Sequence, residues 1–155
     1  MSPRSLDTRT LPELERRLRS IRADSPPRWG GLNAPEMLCH LRATLELSLG
    51  ERQVPRLVPE WIGAPIGLLL LYVFTRWPHG RKGRHPAIPA LFPHPCAGLD
   101  AERERLLATM RRFVAGLHAE PRARARHPML GKTTRKRWSR LHGVHFAHHL
   151  RQFGA

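Results

Sequence analysis

Cysteine is scarce in this chain: Cys39 and Cys96 are the only two in 155 residues. They stand 57 positions apart, outside any C-x-x-C spacing. A disulfide framework is thereby excluded and a reducing compartment becomes the default. Long apolar runs are missing too. The longest uncharged stretch, Trp61–Thr75, has 15 residues and carries Gly63, Pro65 and Gly67, whereas a membrane-spanning helix needs about 20 apolar residues. A buried helix is its expected fate. The start, Met1–Thr10, lacks the apolar segment of a signal peptide, which together with the thiol usage points to the cytoplasm. Aromatic residues are few, with Tyr72 the single tyrosine, so a stacking platform for single-stranded nucleic acid is poorly supplied. Repeats, heptads and low-complexity tracts are absent.

Acidic residues are also short, 12 against 27 basic ones, for a formal charge of +15. Such a charge raises nucleic acid or an anionic membrane as a partner. The basic set is 24 Arg and 3 Lys, a skew that a GC-rich coding background produces by itself. No acid follows Glu120, while Arg122, Arg124, Arg126, Lys132, Arg135, Lys136, Arg137, Arg140 and Arg151 do. For this stretch anionic small molecules, nucleic acid and no partner at all stay open.

A chain of this length makes one domain with its own core, so residues 1–155 are read as a single domain with residues 1–10 flexible. Five helices and no strand are expected. The first covers Leu11–Arg22, with a Thr10/Glu13 capping box and a stripe of Leu11, Leu14, Leu18 and Ile21. The second opens at Asn33 with Glu36 three residues on and stops at Gly50. The third, Pro59–Phe74, is apolar all round. The fourth, Asp100–His118, repeats Leu106, Met110, Phe113 and Leu117. The fifth starts near Thr133 or Thr134 and runs to Phe153, just before Gly154. Between them, 76–99 holds five prolines and three glycines and reads as a long loop, either a mobile cover at the mouth of the site or a plain surface crossover. His79, His85, His94 and Cys96 in and beside it have no recognised metal-ligand spacing.

The chemistry-bearing pattern is the ending. Trp138, His142, His145, His149 and Gln152 recur at spacings of three and four, one helical face. His145 and His149 form an H-x-x-x-H pair that can grip one metal ion from a single helix. Trp138, Phe146 and Phe153 share that face, so the stripe is expected to turn toward a core rather than stand as an incidental exposed cluster. Imidazoles buried there need partners. On the second helix, Asn33, Glu36, His40, Thr44 and Leu47 share a strip, setting a carboxylate one turn before the His40 imidazole. If the second and fifth helices are neighbours, His40 converges on the pair, and three imidazoles leave coordination positions open. Cys39 and His148 each point about 100° away from the neighbouring ligand, so Cys39 is excluded from the site and His148 is read as a rim residue.

Trp29-Gly30 through Met37-Leu38-Cys39-His40-Leu41, and the ending His145-Phe146-Ala147-His148-His149-Leu150-Arg151-Gln152-Phe153-Gly154, resemble the DinB/YfiT-like superfamily of metalloenzymes, in a bacterial branch catalogued as a domain of unknown function. Trp77-Pro78-His79-Gly80 and the segment from His127-Pro128 to Trp138 are similar to that branch too. The resemblance implies an all-α fold, an antiparallel four-helix bundle, here with an additional short helix and the Pro/Gly-rich loop. It implies a metal held by His40, His145 and His149. Some members of the superfamily transfer low-molecular-weight thiols such as mycothiol or bacillithiol. One departure stands out: Arg135, Lys136 and Arg137 occupy the start of the last helix, where relatives tend to be acidic and where cations oppose the macrodipole.

Imidazole ligands favour zinc or nickel as the divalent ion. In this scheme Glu36 accepts a proton, Arg140 or Arg151 holds a substrate carboxylate, and the substrate is a small molecule used with a low-molecular-weight thiol in a transferase or hydrolase reaction. No carboxylate lies on the last helix, so backbone carbonyls, Gln152 or Glu36 must orient the ligand imidazoles. The alternative is a non-catalytic basic protein that binds nucleic acid or an acidic partner. A homodimer stays open.

Overall fold

Four helices and one β-hairpin make up the described part of the computed structural model, which covers residues 4–55, 59, 91, 96–128 and 130–155. In chain order they are α1 (Leu11–Arg19), α2 (Ala34–Leu49), α3 (Leu99–Ala119), β1 (Arg124–His127), β2 (Gly131–Thr134) and α4 (Arg135–Gln152). The expected helix over Pro59–Phe74 and most of the expected 76–99 loop, with His79, His85 and His94, lie outside the described residues.

The caps explain most boundaries. At α2 the full box forms: Glu36 N–H donates to Asn33 Oδ1 at 2.9 Å and Asn33 N–H to Glu36 Oε2 at 3.0 Å. Gly50 closes the helix at φ +81°, a left-handed conformation that an L side chain resists. The Thr10/Glu13 box of α1 does not form. Thr10 stands at the N-cap without a side-chain cap bond; Asp7 Oδ1 accepts the amides of Arg9 at 2.9 Å and Thr10 at 3.1 Å in the turn that leads into the helix, and Glu13 pairs with Arg16. The helix also stops at Arg19 rather than Arg22.

The core lies where α2 meets α3. Met37, Leu38, Leu41 and Leu45 pack with Leu106, Leu107, Met110 and Phe113, joined by Leu14 and Leu18 of α1 and Phe146 and Leu150 of α4. Burying each such side chain contributes roughly 1.5–3 kcal/mol. Glu102 is buried inside the same layer at 1 % exposure. Its carboxylate accepts Arg42 Nε at 3.0 Å and the Ala97 amide at 3.1 Å. Burial pushes this carboxyl up, but the Arg42 and Ala97 hydrogen bonds outweigh it and hold it below the usual range.

The all-α bundle expectation is wrong, because β1 and β2 form an antiparallel two-stranded sheet in the register Arg124↔Thr134, Ala125↔Thr133, Arg126↔Lys132, His127↔Gly131. The fold is mixed. Arg124 and Arg126 are exposed and alternate with partly buried Ala125 and His127, so the strand looks like a solvated basic loop in sequence. Tertiary contacts stabilise it. Trp138 Nε1 donates to the Ala125 carbonyl at 3.4 Å, the His127 and Trp138 rings lie 5.0 Å apart, and Arg135 N–H donates to Ala123 O at 2.8 Å.

The segment before α1 contacts α4. Leu6 is fully buried, its amide donates to the Ser139 carbonyl at 2.8 Å, and the Ser139 hydroxyl returns a bond to Leu6 O at 2.8 Å. Gly143 of α4 permits this approach, since a Cβ there would stand 2.4 Å from Ser5 N.

Candidate metal centre

The last helix begins at Thr134, whose hydroxyl accepts the Arg137 amide, and runs with its histidine stripe turned inward. Trp138, His142 and His149 are buried, at 3, 1 and 7 % exposure, and His145 is partly buried. His142 is a core residue. It stacks on Trp138 with centroids 5.4 Å apart and meets the Phe113 ring edge-on at 4.9 Å. Ser48 Oγ donates to Leu45 O at 2.7 Å, so it accepts the His142 Nε2–H at 2.9 Å, which fixes that tautomer. Burial pushes His142 down to about 3, so it is neutral in the folded protein.

His40 on α2 and His145 and His149 on α4 come together. His145 Nε2 lies 3.1 Å from His40 Nε2 and 3.0 Å from His149 Nε2, and the three ligand atoms fall within 4.8 Å of one another. An ion with imidazole nitrogens at roughly 2.0–2.1 Å sets neighbouring donors about 3 Å apart at a right angle and about 3.4 Å apart at the tetrahedral angle. The donor set therefore fits a divalent cation, and the three histidines could hold a metal ion.

Their second nitrogens support this geometry. His40 Nδ1–H donates to the Leu91 carbonyl at 2.7 Å, and His149 Nδ1–H donates to Gln152 Oε1 at 2.7 Å. Gln152 is fixed in turn, because its amide nitrogen donates to the Trp29 carbonyl. Both ligand rings thus keep a bare Nε2 lone pair aimed at His145. A single proton on His145 serves only one of these two contacts, whereas a shared cation serves all three nitrogens. Gly30, at φ +82°, makes room for the relay, since a Cβ there would lie 2.7 Å from Gln152 Nε2.

Burial, opposed by the Leu91 hydrogen bond, pushes His40 down to about 4. Burial, and after it the neighbouring imidazoles, push His145 and His149 well below their ordinary value. All three are neutral near pH 7, the protonation state that a metal ligand requires.

The other expected site residues are placed differently. Glu36 sits one turn before His40, and its carboxylate accepts the Asn33 amide in the capping box. It is not among the clustered donors. His148 is partly buried, edge-on to Trp29 at 5.7 Å and to His149 at 5.1 Å, as a rim residue would be. Arg151 is partly buried. Arg140 is exposed and lines a separate groove of about 570 Å³ with Arg4, Asp7, Lys136 and Arg137. Of the three cations opening α4, Arg135 has a structural use: its guanidinium donates to Gly116 O at 2.8 Å, at the C-terminal end of α3, where a cation is favourable.

Sequence reasoning anticipated Gln152 and a backbone carbonyl as orienting groups. It missed that Leu91 and Trp29 supply the carbonyls, for which no side-chain pattern exists. Among the described residues no helix is long and apolar enough to cross a membrane.

The family described as "Protein of unknown function (DUF1569)" matches the chain over residues 1–155. No curated protein matches it, and no solved structure does.

Proposed function

The chain belongs to the DUF1569 family, and from that premise we propose that it is a divalent-metal protein in which His40, His145 and His149 hold zinc or nickel. The observation that carries this is the convergence of three neutral imidazole nitrogens, two of them 3.0 and 3.1 Å from the third. Kinship with the DinB/YfiT-like superfamily, as a metalloenzyme relation and not as a bundle, belongs to the same proposal.

The activity is a transferase or hydrolase reaction with a low-molecular-weight thiol. When bound, an ion held by neutral imidazoles alone keeps its full positive charge and stabilises a thiolate. Glu36, one turn from His40, accepts the thiol proton. Arg151, two residues beyond His149, holds a substrate carboxylate.

Metal analysis of protein purified without a His tag tests the centre, with about one ion per chain expected. Titration of the cobalt-substituted protein with mycothiol, bacillithiol and glutathione tests the thiol assignment. A cobalt spectrum that none of the three changes overturns it.

One observation favours a second function, a non-catalytic protein that binds nucleic acid or an acidic partner. Arg4, Lys136, Arg137 and Arg140 line the same groove, with Asp7 the only acid among the described residues that line it. Charge-driven binding there would weaken steeply with added salt, which an RNA or DNA titration at two ionic strengths reads directly.

A further inference from the structure

The groove where residues 4–7 cross the start of α4 gathers Arg4, Lys136, Arg137 and Arg140 around a volume of about 570 Å³, within the range of small-ligand pockets. Elsewhere the exposed arginines stand against acids: Arg16 with Glu13, Arg19 with Glu104, Arg111 with Glu15 and Arg112 with Glu51. Among the described residues no carboxylate forms an ion pair with Arg4, Lys136 or Arg137. Asp7, the one acid among the described lining residues, spends both oxygens on its own segment: Oδ2 accepts the Ser5 hydroxyl at 2.6 Å and Oδ1 the amides of Arg9 and Thr10.

These cations repel one another, and those on α4 also oppose its macrodipole. The first-turn amides do not form the site, because they are already used. Arg135 N–H donates to Ala123 O at 2.8 Å, Lys136 N–H to Pro121 O at 3.2 Å and Arg137 N–H to the Thr134 hydroxyl at 3.4 Å. Recognition is left to the side chains. Lys136, Arg137 and Arg140 fall within roughly 6 Å of helix rise, and guanidinium forks match phosphate oxygens in pairs. No aromatic residue is among the described lining residues, so a nucleobase has nothing to stack on.

We propose that this groove is a binding site for a small polyphosphate, held by Arg4, Lys136, Arg137 and Arg140. The site is independent of the proposed metal centre, since no histidine is among its described lining residues. It takes a compact anion of high charge density where the second function would take a polymer.

Isothermal titration of the full chain with inorganic triphosphate, pyrophosphate and sulfate tests it. One triphosphate per chain is expected, bound more tightly than pyrophosphate and far more tightly than sulfate, with affinity that falls as salt is added. At triphosphate a hundredfold above its Kd, the Tm should rise by at least about 5 °C. Lys136→Gln, Arg137→Gln and Arg140→Gln should each weaken binding about tenfold, and Arg112→Gln, which removes the same charge from α3, should leave it unchanged. Arg137→Gln removes a cation from the helix start, so an anion-free Tm at or above wild type is expected, which separates lost binding from lost folding. Equal weakening in Arg112→Gln would mean attraction by net charge alone and overturn the site. Sulfate binding as tight as triphosphate, or duplex DNA that triphosphate does not displace, would overturn the polyphosphate assignment. Affinity should be the same before and after dialysis against a chelator, and binding that disappears with the metal would place triphosphate on the ion and overturn the proposal.

Discussion

His149 Nδ1 lies 2.7 Å from Gln152 Oε1, one helical turn further along α4, and this contact decides which nitrogen of the ring faces His40 and His145. The amide orientation of Gln152 is not optional, since its nitrogen must donate to the Trp29 carbonyl. A segment more than a hundred residues upstream therefore selects the tautomer of a candidate ligand.

Replacing Gln152 by Leu keeps the volume but removes both bonds. Metal affinity should fall by about 10–100-fold, the usual effect of losing a group that orients a ligand imidazole. Competition with a chromophoric chelator measures it. Gly30→Ala, whose Cβ would push on the same amide, should move affinity the same way. Wild-type affinity in Gln152→Leu would show that the relay does not matter to the ion.

Single changes of His40, His145 or His149 to Ala should each reduce bound metal to well below one ion per chain, because two imidazoles seldom retain a divalent ion through purification. His148→Ala, outside the converging set, should keep it. The readout is elemental analysis of tag-free protein. Full occupancy in the triple variant would place the metal elsewhere.

Gly143→Ala should destabilise by about 2–4 kcal/mol, since overpacking against backbone cannot be relieved by a rotamer change. Its Cβ would meet Ser5 N and Cα at 2.4 and 2.5 Å, prising Leu6 out of the core. Urea unfolding reports the loss. A midpoint within error of wild type would mean that residues 4–10 do not stay docked in solution.

Acid should unfold the metal-free protein in a window set by buried imidazoles. Burial pushes His142 to about 3 and His127 to about 4 from the ordinary 6.5. Their folded values are depressed, so below pH 6.5 the unfolded chain takes up protons that the folded chain refuses. Stability is full above pH 6.5 and falls as pH drops toward 4, by up to about 1.4 kcal/mol per pH unit for each imidazole. A Tm that stays flat from pH 6.5 to 4.5 would contradict this, and His142→Gln should make the decline shallower.

Local signals in the sequence were enough for α2, α3 and α4 and for their buried faces. The Asn33/Glu36 box, Gly50, and the i, i+3, i+4 recurrence of Trp138, His142, His145 and His149 are each written within a few residues, and helix geometry turns such spacing into direction. The same arithmetic separated His148 from His149. The Thr10/Glu13 box of α1 was lost to other partners, since the Thr10 hydroxyl donates to the Ser5 carbonyl and Glu13 pairs with Arg16. The hairpin was invisible for a related reason: four-residue strands with arginines on the open face have no apolar alternation long enough to read, and Trp138 supplies the cover from another element.

The sequence by itself determined α2, α3 and α4, their inward faces and the three imidazoles able to share an ion. Tertiary structure alone decided that Leu91 and Trp29 would lend carbonyls to orient them, that Glu102 would be buried against Arg42, and that Arg135 would cap α3. Backbone carbonyls look alike at every position, and contacts across tens of residues are selected by how the packed elements dock, which no local periodicity encodes.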